Sequence, residues 1–261
     1  MDDELRTNQS RMEIPHGLRL FPNRSRAGFR RRARHRRRHR APHGRRGTPC
    51  RLHLCQLARP SGRAGPRHRN RRAGAALAIR ADSADPEAVR AAVEAAAQRF
   101  GTFGVLVVNA GVLISGAIDR FAMDDFDRML AVNVRGVFAA IHYGAPHMLD
   151  GGRIITIGSN TADRIGSPGS SVYAMTKAAV AQLVRGAALD FAPRQITVNN
   201  VQPGPVETDM TADLMAYIVP KLPLGRMGKP DEIADLVAWL TGPGAGYMTG
   251  ASLTIDGGWT A

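Results

Sequence analysis

One boundary near residue 75 decides where this chain can build a core. Between residues 24 and 72 stand 19 of its 36 basic residues, every one an arginine, with no Asp or Glu among them. Runs such as Arg30-Arg31-Arg32 and Arg36-Arg37-Arg38 repel one another. Apolar residues recur there at neither a helical nor a strand period, so the segment is expected to stay outside any packed interior. Residues 1–23 read as a loose leader. Beyond the arginine segment 17 basic residues face 22 acidic ones, net −5, so the formal +14 of the whole chain is a local feature. It does not mark the remainder as a surface for polyanions.

From residue 75 the pattern changes to short apolar runs alternating with helical periods, the signature of a parallel sheet covered by helices. Residues 75–80 predict a strand, and Asp85 and Pro86 open a helix that ends near Phe100. Strands are expected at 104–109, 153–158, 196–202 and 252–255. Helices are expected at 124–147, 173–191 and 231–240. Such alternation implies right-handed crossovers and an α/β, doubly wound parallel sheet in a single domain, residues 75–261. No run of eighteen apolar residues occurs, and Met-Asp-Asp-Glu-Leu lacks the basic start and apolar core of a signal peptide. A cytoplasmic protein without a membrane span is the expectation.

Tyr173 and Lys177, in Tyr-Ala-Met-Thr-Lys, are four apart on a predicted helix and share a face. An ammonium beside a phenol favours the phenolate and draws its pKa towards neutrality, so the tyrosine is expected to exchange protons. A solvated helix face is the plain alternative. Ser159, just past the predicted strand 153–158, lies where ligands collect in open α/β sheets and could hold a carbonyl oxygen, or could simply cap a turn. Asn109, Ala110 and Gly111 close the strand before it, and their small side chains would let a cofactor approach the backbone, unless they form an ordinary turn.

Together these features resemble the short-chain dehydrogenase/reductase family over most of residues 75–261. Asn109-Ala110-Gly111 is similar to the family's N-A-G, and Asn133, in Val-Asn-Val-Arg-Gly, to the asparagine that holds a water leading to the lysine. Ser159, Tyr173 and Lys177 fall on the other catalytic positions. Pro203, Gly204, Val206 and Thr208 resemble the segment lining the nicotinamide, and Asp256-Gly257-Gly258 the closing D-G-G. The resemblance implies a Rossmann-type fold, a homotetramer, and hydride exchange between NAD(P)H and a small carbonyl or alcohol. Tyr173 would carry the proton, Ser159 would orient the oxygen, Lys177 would bind the ribose, and Asp82 would meet the adenine. The branch resembled includes 3-oxoacyl-carrier-protein reductases and cyclic-di-GMP-binding biofilm-dispersal proteins, so a binding protein without turnover is the second reading. Residues 207–220 are expected to form a lid, whose Met210, Leu214, Met215, Tyr217 and Ile218 suit an apolar-bodied carbonyl compound.

One family motif is missing. The turn T-G-x-x-x-G-x-G, whose backbone N–H groups receive the pyrophosphate, has no counterpart. Residues 27–40 read Ala-Gly-Phe-Arg-Arg-Arg-Ala-Arg-His-Arg-Arg-Arg-His-Arg instead. With permitted codons, reading one base later gives Leu-Val-Ser-Gly-Gly-Ala-Arg-Gly-Ile-Gly-Ala-Ala-Ile-Val, a strand end, a glycine turn and a helix start. The same shift turns residues 50–57 into Ala-Val-Phe-Thr-Tyr-Val-Asn-Ser, a β-branched run. Residues 24–74 therefore read as a frame-displaced first βαβ unit, with the frame restored near residues 72–75. The restored reading has an arginine in the turn and no acid after the second strand, which favours NADP(H) over NAD(H). An RNA- or DNA-binding arm ranks lower because stacking aromatics are nearly absent. A zinc site from His43, Cys50, His53, Cys55 and His68 ranks lower still for want of paired C-x-x-C knuckles, so no metal is expected.

Overall fold

In the computed structural model the described residues are 76–208, 211 and 214–261, with the backbone of three short strands before them, β1 (Met12–Glu13), β2 (Arg19–Phe21) and β3 (Arg51–Cys55). The expectations for residues 24–74 otherwise lie outside the described residues.

Asp85 accepts a hydrogen bond from the Glu87 amide, and Pro86 fills the first helical position where no donor is needed, so α1 (Pro86–Phe100) starts and ends as expected. β5 (Phe103–Val108) follows, buried along its whole length, as strands covered on both faces are. β6 (Val112–Leu113) leads to α2 (Met123–Leu130), a π turn (Ala131–Arg135) and α3 (Gly136–Gly144). The expected single helix 124–147 is thus broken by a wider turn, which sequence periodicity does not reveal. Then come β7 (Met148–Ile157), α4 (Ser171–Phe191), β8 (Thr197–Pro203), α5 (Met215–Ile218), α6 (Pro230–Leu240) and β9 (Ser252–Ile255).

The main sheet has the order β2-β5-β7-β8-β9. β5, β7, β8 and β9 form a parallel ladder, with Leu106 opposite Ile154, Ile154 opposite Val198 and Val201 opposite Leu253. One face packs Leu106, Ile154 and Val198 against Val93 of α1, Ile141 of α3 and Val184 of α4. The other packs Val105, Ile155 and Val201 against Leu240 of α6. Helices on both faces make the sheet doubly wound, as the alternation predicted. The first part departs from it. β4 (Ala76–Arg80) pairs antiparallel with β3 as a separate ladder, and three-residue β2 runs antiparallel along β5. The strand expected at 75–80 exists but does not join the parallel ladder. Among the described residues no helix is long and apolar enough to cross a membrane.

Close approach decides one glycine of the π turn's far end. A methyl at Gly136 would sit 2.2 Å from the Ser83 carbonyl oxygen, whereas one at Gly186, in the middle of α4, would meet nothing within 4 Å. Gly136→Ala is expected to lower stability by roughly 1–3 kcal/mol through overpacking. Gly186→Ala should raise it by about 0.5–1 kcal/mol by removing helix-interior glycine. Urea unfolding midpoints of the two variants check both signs.

Candidate functional site

The C-terminal end of β7 delivers the first functional side chain. Ser159 follows the strand in extended conformation and caps a short 3-10 turn (Asn160–Ala162), its Oγ accepting from the Thr161 amide at 3.2 Å and the Thr161 hydroxyl at 2.9 Å. The plain alternative, a turn cap, is therefore present. Across from it, the first turn of α4 presents Tyr173, whose phenol is close enough to the Ser159 hydroxyl for that group to act against the rise of its pKa. One turn on, Lys177 is buried, its Nζ donating to the Ile157 carbonyl at 3.1 Å and lying 5.6 Å from the centre of the Tyr173 ring.

Asn133 sits in the π turn with no exposed surface. Its Oδ1 accepts from the Val112 amide at 2.8 Å, and its Nδ2 donates to the Val112 carbonyl at 2.9 Å and to the Thr176 hydroxyl at 3.1 Å. Thr176 in turn donates to the Tyr173 carbonyl at 2.7 Å. The chain leaving β5 runs between these groups. A methyl at Gly111 would lie 3.3 Å from Lys177 Nζ and 3.5 Å from Asn133 Oδ1, so a side chain there would crowd both. Ala110 is buried beside it.

The structure thus gathers Gly111, Asn133, Ser159, Tyr173 and Lys177 around one point at the sheet's C-terminal end, with Asn109 and Ala110 leading in. At β8's end a methyl on Gly204 would fall 2.4 Å from Asp256 Cβ, so that glycine lets the chain cross the closing turn. Val206 bridges to Gly228, and the Thr208 amide donates to the Thr211 hydroxyl at 3.1 Å. Asp82 is exposed and its Oδ1 accepts from the Ala84 amide at 2.9 Å, a turn-forming role. That turn abuts the segment carrying Asn133, because Ser83 meets Gly136 and Arg135 Nη2 donates to the Ala84 carbonyl. Of the expected lid residues, Leu214, Met215 and Tyr217 are exposed, Ile218 is buried, and Met210 lies outside the described residues. Thr176, Thr161 and the Ile157 carbonyl were not legible as site groups. The only sequence signal for Thr176 is its place one turn after Tyr173, where a hydroxyl back-bonds to the helix. Among the described residues no group of three or more His, Cys, Asp and Glu is placed to hold a metal.

Burial governs the titration of the pair. It pushes the Tyr173 phenol up to about 12, with the Ser159 hydroxyl acting in the opposite sense, and pushes Lys177 down to about 8. The expected fall of the tyrosine towards neutrality is therefore not what this arrangement produces: loss of water outweighs the ammonium 5.6 Å away. Between pH 8 and 10.5 the folded chain binds fewer protons at Lys177 than the unfolded chain, so stability rises with pH. Between pH 10 and 12 it binds more at Tyr173, so stability falls. Lys177→Met should abolish the rise between pH 8 and 10. Urea midpoints across that window in both chains measure it.

Comparison with known proteins follows the same outline. The family model described as enoyl-(acyl carrier protein) reductase matches residues 32–260. A cyclic-di-GMP-binding biofilm dispersal mediator protein of Escherichia coli K12 is 40% identical over 189 residues, 71% of this chain and 78% of that protein. A solved short-chain dehydrogenase/reductase of Serratia marcescens is 54% identical with TM-score 0.68, covering 70% of this chain and 76% of that one. A short-chain dehydrogenase of Burkholderia cenocepacia, solved in complex with NADP, is 44% identical with TM-score 0.67 over the same shares.

Proposed function

Because the chain belongs to the short-chain dehydrogenase/reductase family of NAD(P)-dependent oxidoreductases, we propose that Tyr173 is the proton donor and acceptor for a carbonyl/alcohol pair. The observation that carries this reading is the convergence of Ser159, Tyr173 and buried Lys177, whose Nζ lies 5.6 Å from the centre of the Tyr173 ring. A bound nicotinamide would supply or take the hydride at the substrate carbon. Ser159 holds the substrate oxygen by its hydroxyl. Tyr173, protonated at neutral pH, gives that oxygen its proton in reduction and recovers one in oxidation. Lys177 fixes the ribose and replaces the lost proton, and Asn133 anchors the route by which it is replenished.

The residues present suit the nicotinamide end of a cofactor. Gly111 brings backbone without a side chain up to Lys177 Nζ. Pro203 ends β8 and Gly204, Val206 and Thr208 follow it at the same end of the sheet, with Asn109 and Ala110 leading to it and Asp82 assigned to the adenine. NADP(H) is preferred over NAD(H), a reading supported by the frame-restored turn and by the NADP complex of the Burkholderia relative. The substrate is a small apolar-bodied carbonyl or alcohol. The location is cytoplasmic.

The diphosphate end belongs to residues 24–74, which we read as a frame-displaced first βαβ unit preceding the dinucleotide-binding domain 75–261. The gene's DNA decides this: the shifted frame must be open and encode the glycine turn. The reading predicts that the chain as written binds NADPH at least tenfold more weakly than a frame-restored chain, measured by fluorescence titration. Tyr173→Phe in the restored chain is expected to lose reductase turnover by about 10²–10⁴-fold with NADPH affinity retained. Turnover kept by that variant overturns the assignment.

The Escherichia coli relative's name favours a second reading, in which the chain binds cyclic-di-GMP without turnover. Titration with the dinucleotide beside an NADPH oxidation assay separates the two. A homotetramer is supported by apolar side chains left open on the helices, Phe138 on α3, Met175 and Leu189 on α4 and Trp239 on α6, and by exposed Tyr247. Native mass spectrometry is expected to show four chains.

A further inference from the structure

The proton chemistry above leaves Trp259 unused, yet the fold takes trouble to place it. After β9 two left-handed glycines turn the chain, Gly257 at φ +66° and Gly258 at φ +88°. Asp256 locks that turn, its carboxylate accepting from the Gly258 amide at 3.0 Å, the Thr260 amide at 2.9 Å and the Thr260 hydroxyl at 2.7 Å. Asn160, next to Ser159, donates its Nδ2 to the same carboxylate at 3.3 Å. The turn is thereby tied to the catalytic loop.

It is tied to the lid as well. The Leu224 amide donates to the Gly257 carbonyl at 3.2 Å, and a methyl on Gly258 would lie 2.9 Å from Pro223 Cγ. The indole that the turn delivers packs against the small cluster Ile218, Leu222 and Met227 on the lid side. On its other side a methyl at Gly166 would sit 2.7 Å from Trp259 Nε1. The base of the lid is closed independently. Val206 bridges Gly228, the Glu207 amide donates to the Gly228 carbonyl at 2.9 Å, and Arg226 grips Glu232 through two contacts of 2.8 and 2.9 Å. With the stem fastened there, Ile218, Leu222 and Met227 rest on the indole.

We propose that Trp259 is the positioning residue of the lid: its indole is the seat that holds residues 214–227 against the loop after Ser159, and so sets how large an apolar substrate body the closed site accepts. The proposal rests on the catalytic reading of Ser159 and Tyr173 for its meaning. Its test needs neither cofactor nor turnover, so the two can fail separately.

Limited trypsin digestion of the full chain reads the lid directly, because Lys221 is exposed within it while Arg185 is exposed in the middle of α4. Trp259→Ala is expected to speed cleavage after Lys221 by about tenfold with cleavage after Arg185 unchanged, since local opening and global unfolding are separate events. Trp259→Phe, which keeps an aromatic seat, should stay near the parent rate. Gly166→Ala should displace the indole, speeding the same cleavage and, in a Trp239→Phe background that leaves Trp259 as the only tryptophan of two, shifting its emission to the red. An unchanged Lys221 rate in Trp259→Ala, equal acceleration at both sites, or an unmoved emission in Gly166→Ala would overturn the proposal.

Discussion

The arrangement of the site depends on a single carboxamide acting as a strand. When the chain leaves β5 it enters β6, where Val112 stands opposite Glu13 of β1 and turns its own N–H and C=O to a side chain. Asn133 takes both, accepting from the Val112 amide and donating to its carbonyl. Each bond has a net worth of only about 1 kcal/mol, but an orphaned group costs roughly 1–3 kcal/mol, so the pair is held by what its loss would expose. The π turn (Ala131–Arg135) carries that amide; such bulges are frequent at functional sites. The third bond, to Thr176, passes the position on to α4 and so to Tyr173 and Lys177. Strand exit, helix bulge and catalytic helix are registered by one side chain.

The electrostatics follow from how dry this junction is. An ammonium near a phenol should favour the phenolate, and at short range in an open site it does. Here both groups have lost water, Lys177 spends its hydrogen bond on the Ile157 carbonyl, and each is driven towards its neutral form. A phenol held near 12 is a proton donor at neutral pH, which suits the reductive direction. Drawing it down to serve as a base needs positive charge beyond Lys177.

Elements with local signals were legible in the sequence, and those defined by partners were not. The cap Asp85 and Pro86 fixed α1 to the residue, and the buried run of β5 read plainly as a strand. The break between α2 and α3 was hidden, because one widened turn leaves the hydrophobic period of residues 124–147 almost unchanged. Residues 75–80 read as a strand, but nothing in them specified an antiparallel partner. The grouping of Ser159, Tyr173 and Lys177 was legible through type and spacing, since a Tyr and Lys one turn apart after a strand-end Ser form a pattern in one dimension. Thr176 and Trp259 were not, because a back-bonding hydroxyl and an indole under a lid announce themselves only through what they touch. The Ile157 carbonyl has no sequence signature at all.

The grouped residues Asn133, Ser159, Tyr173 and Lys177 and the arginine-rich segment come from different parts of the chain, and this has a structural consequence. Asn133, Ser159, Tyr173 and Lys177 all follow β5, and the elements that carry them pack on a ladder, β5-β7-β8-β9, that is parallel throughout and has helices on both faces. Nothing in that assembly requires the residues before 76 to adopt any particular pairing. β2 covers only the Arg19–Phe21 length of the β5 edge, opposite Val105–Val107, and does so antiparallel, where a crossover unit would lay down a parallel neighbour. Whatever precedes residue 76, the packing of this ladder is enough to hold Asn133, Ser159, Tyr173 and buried Lys177 together.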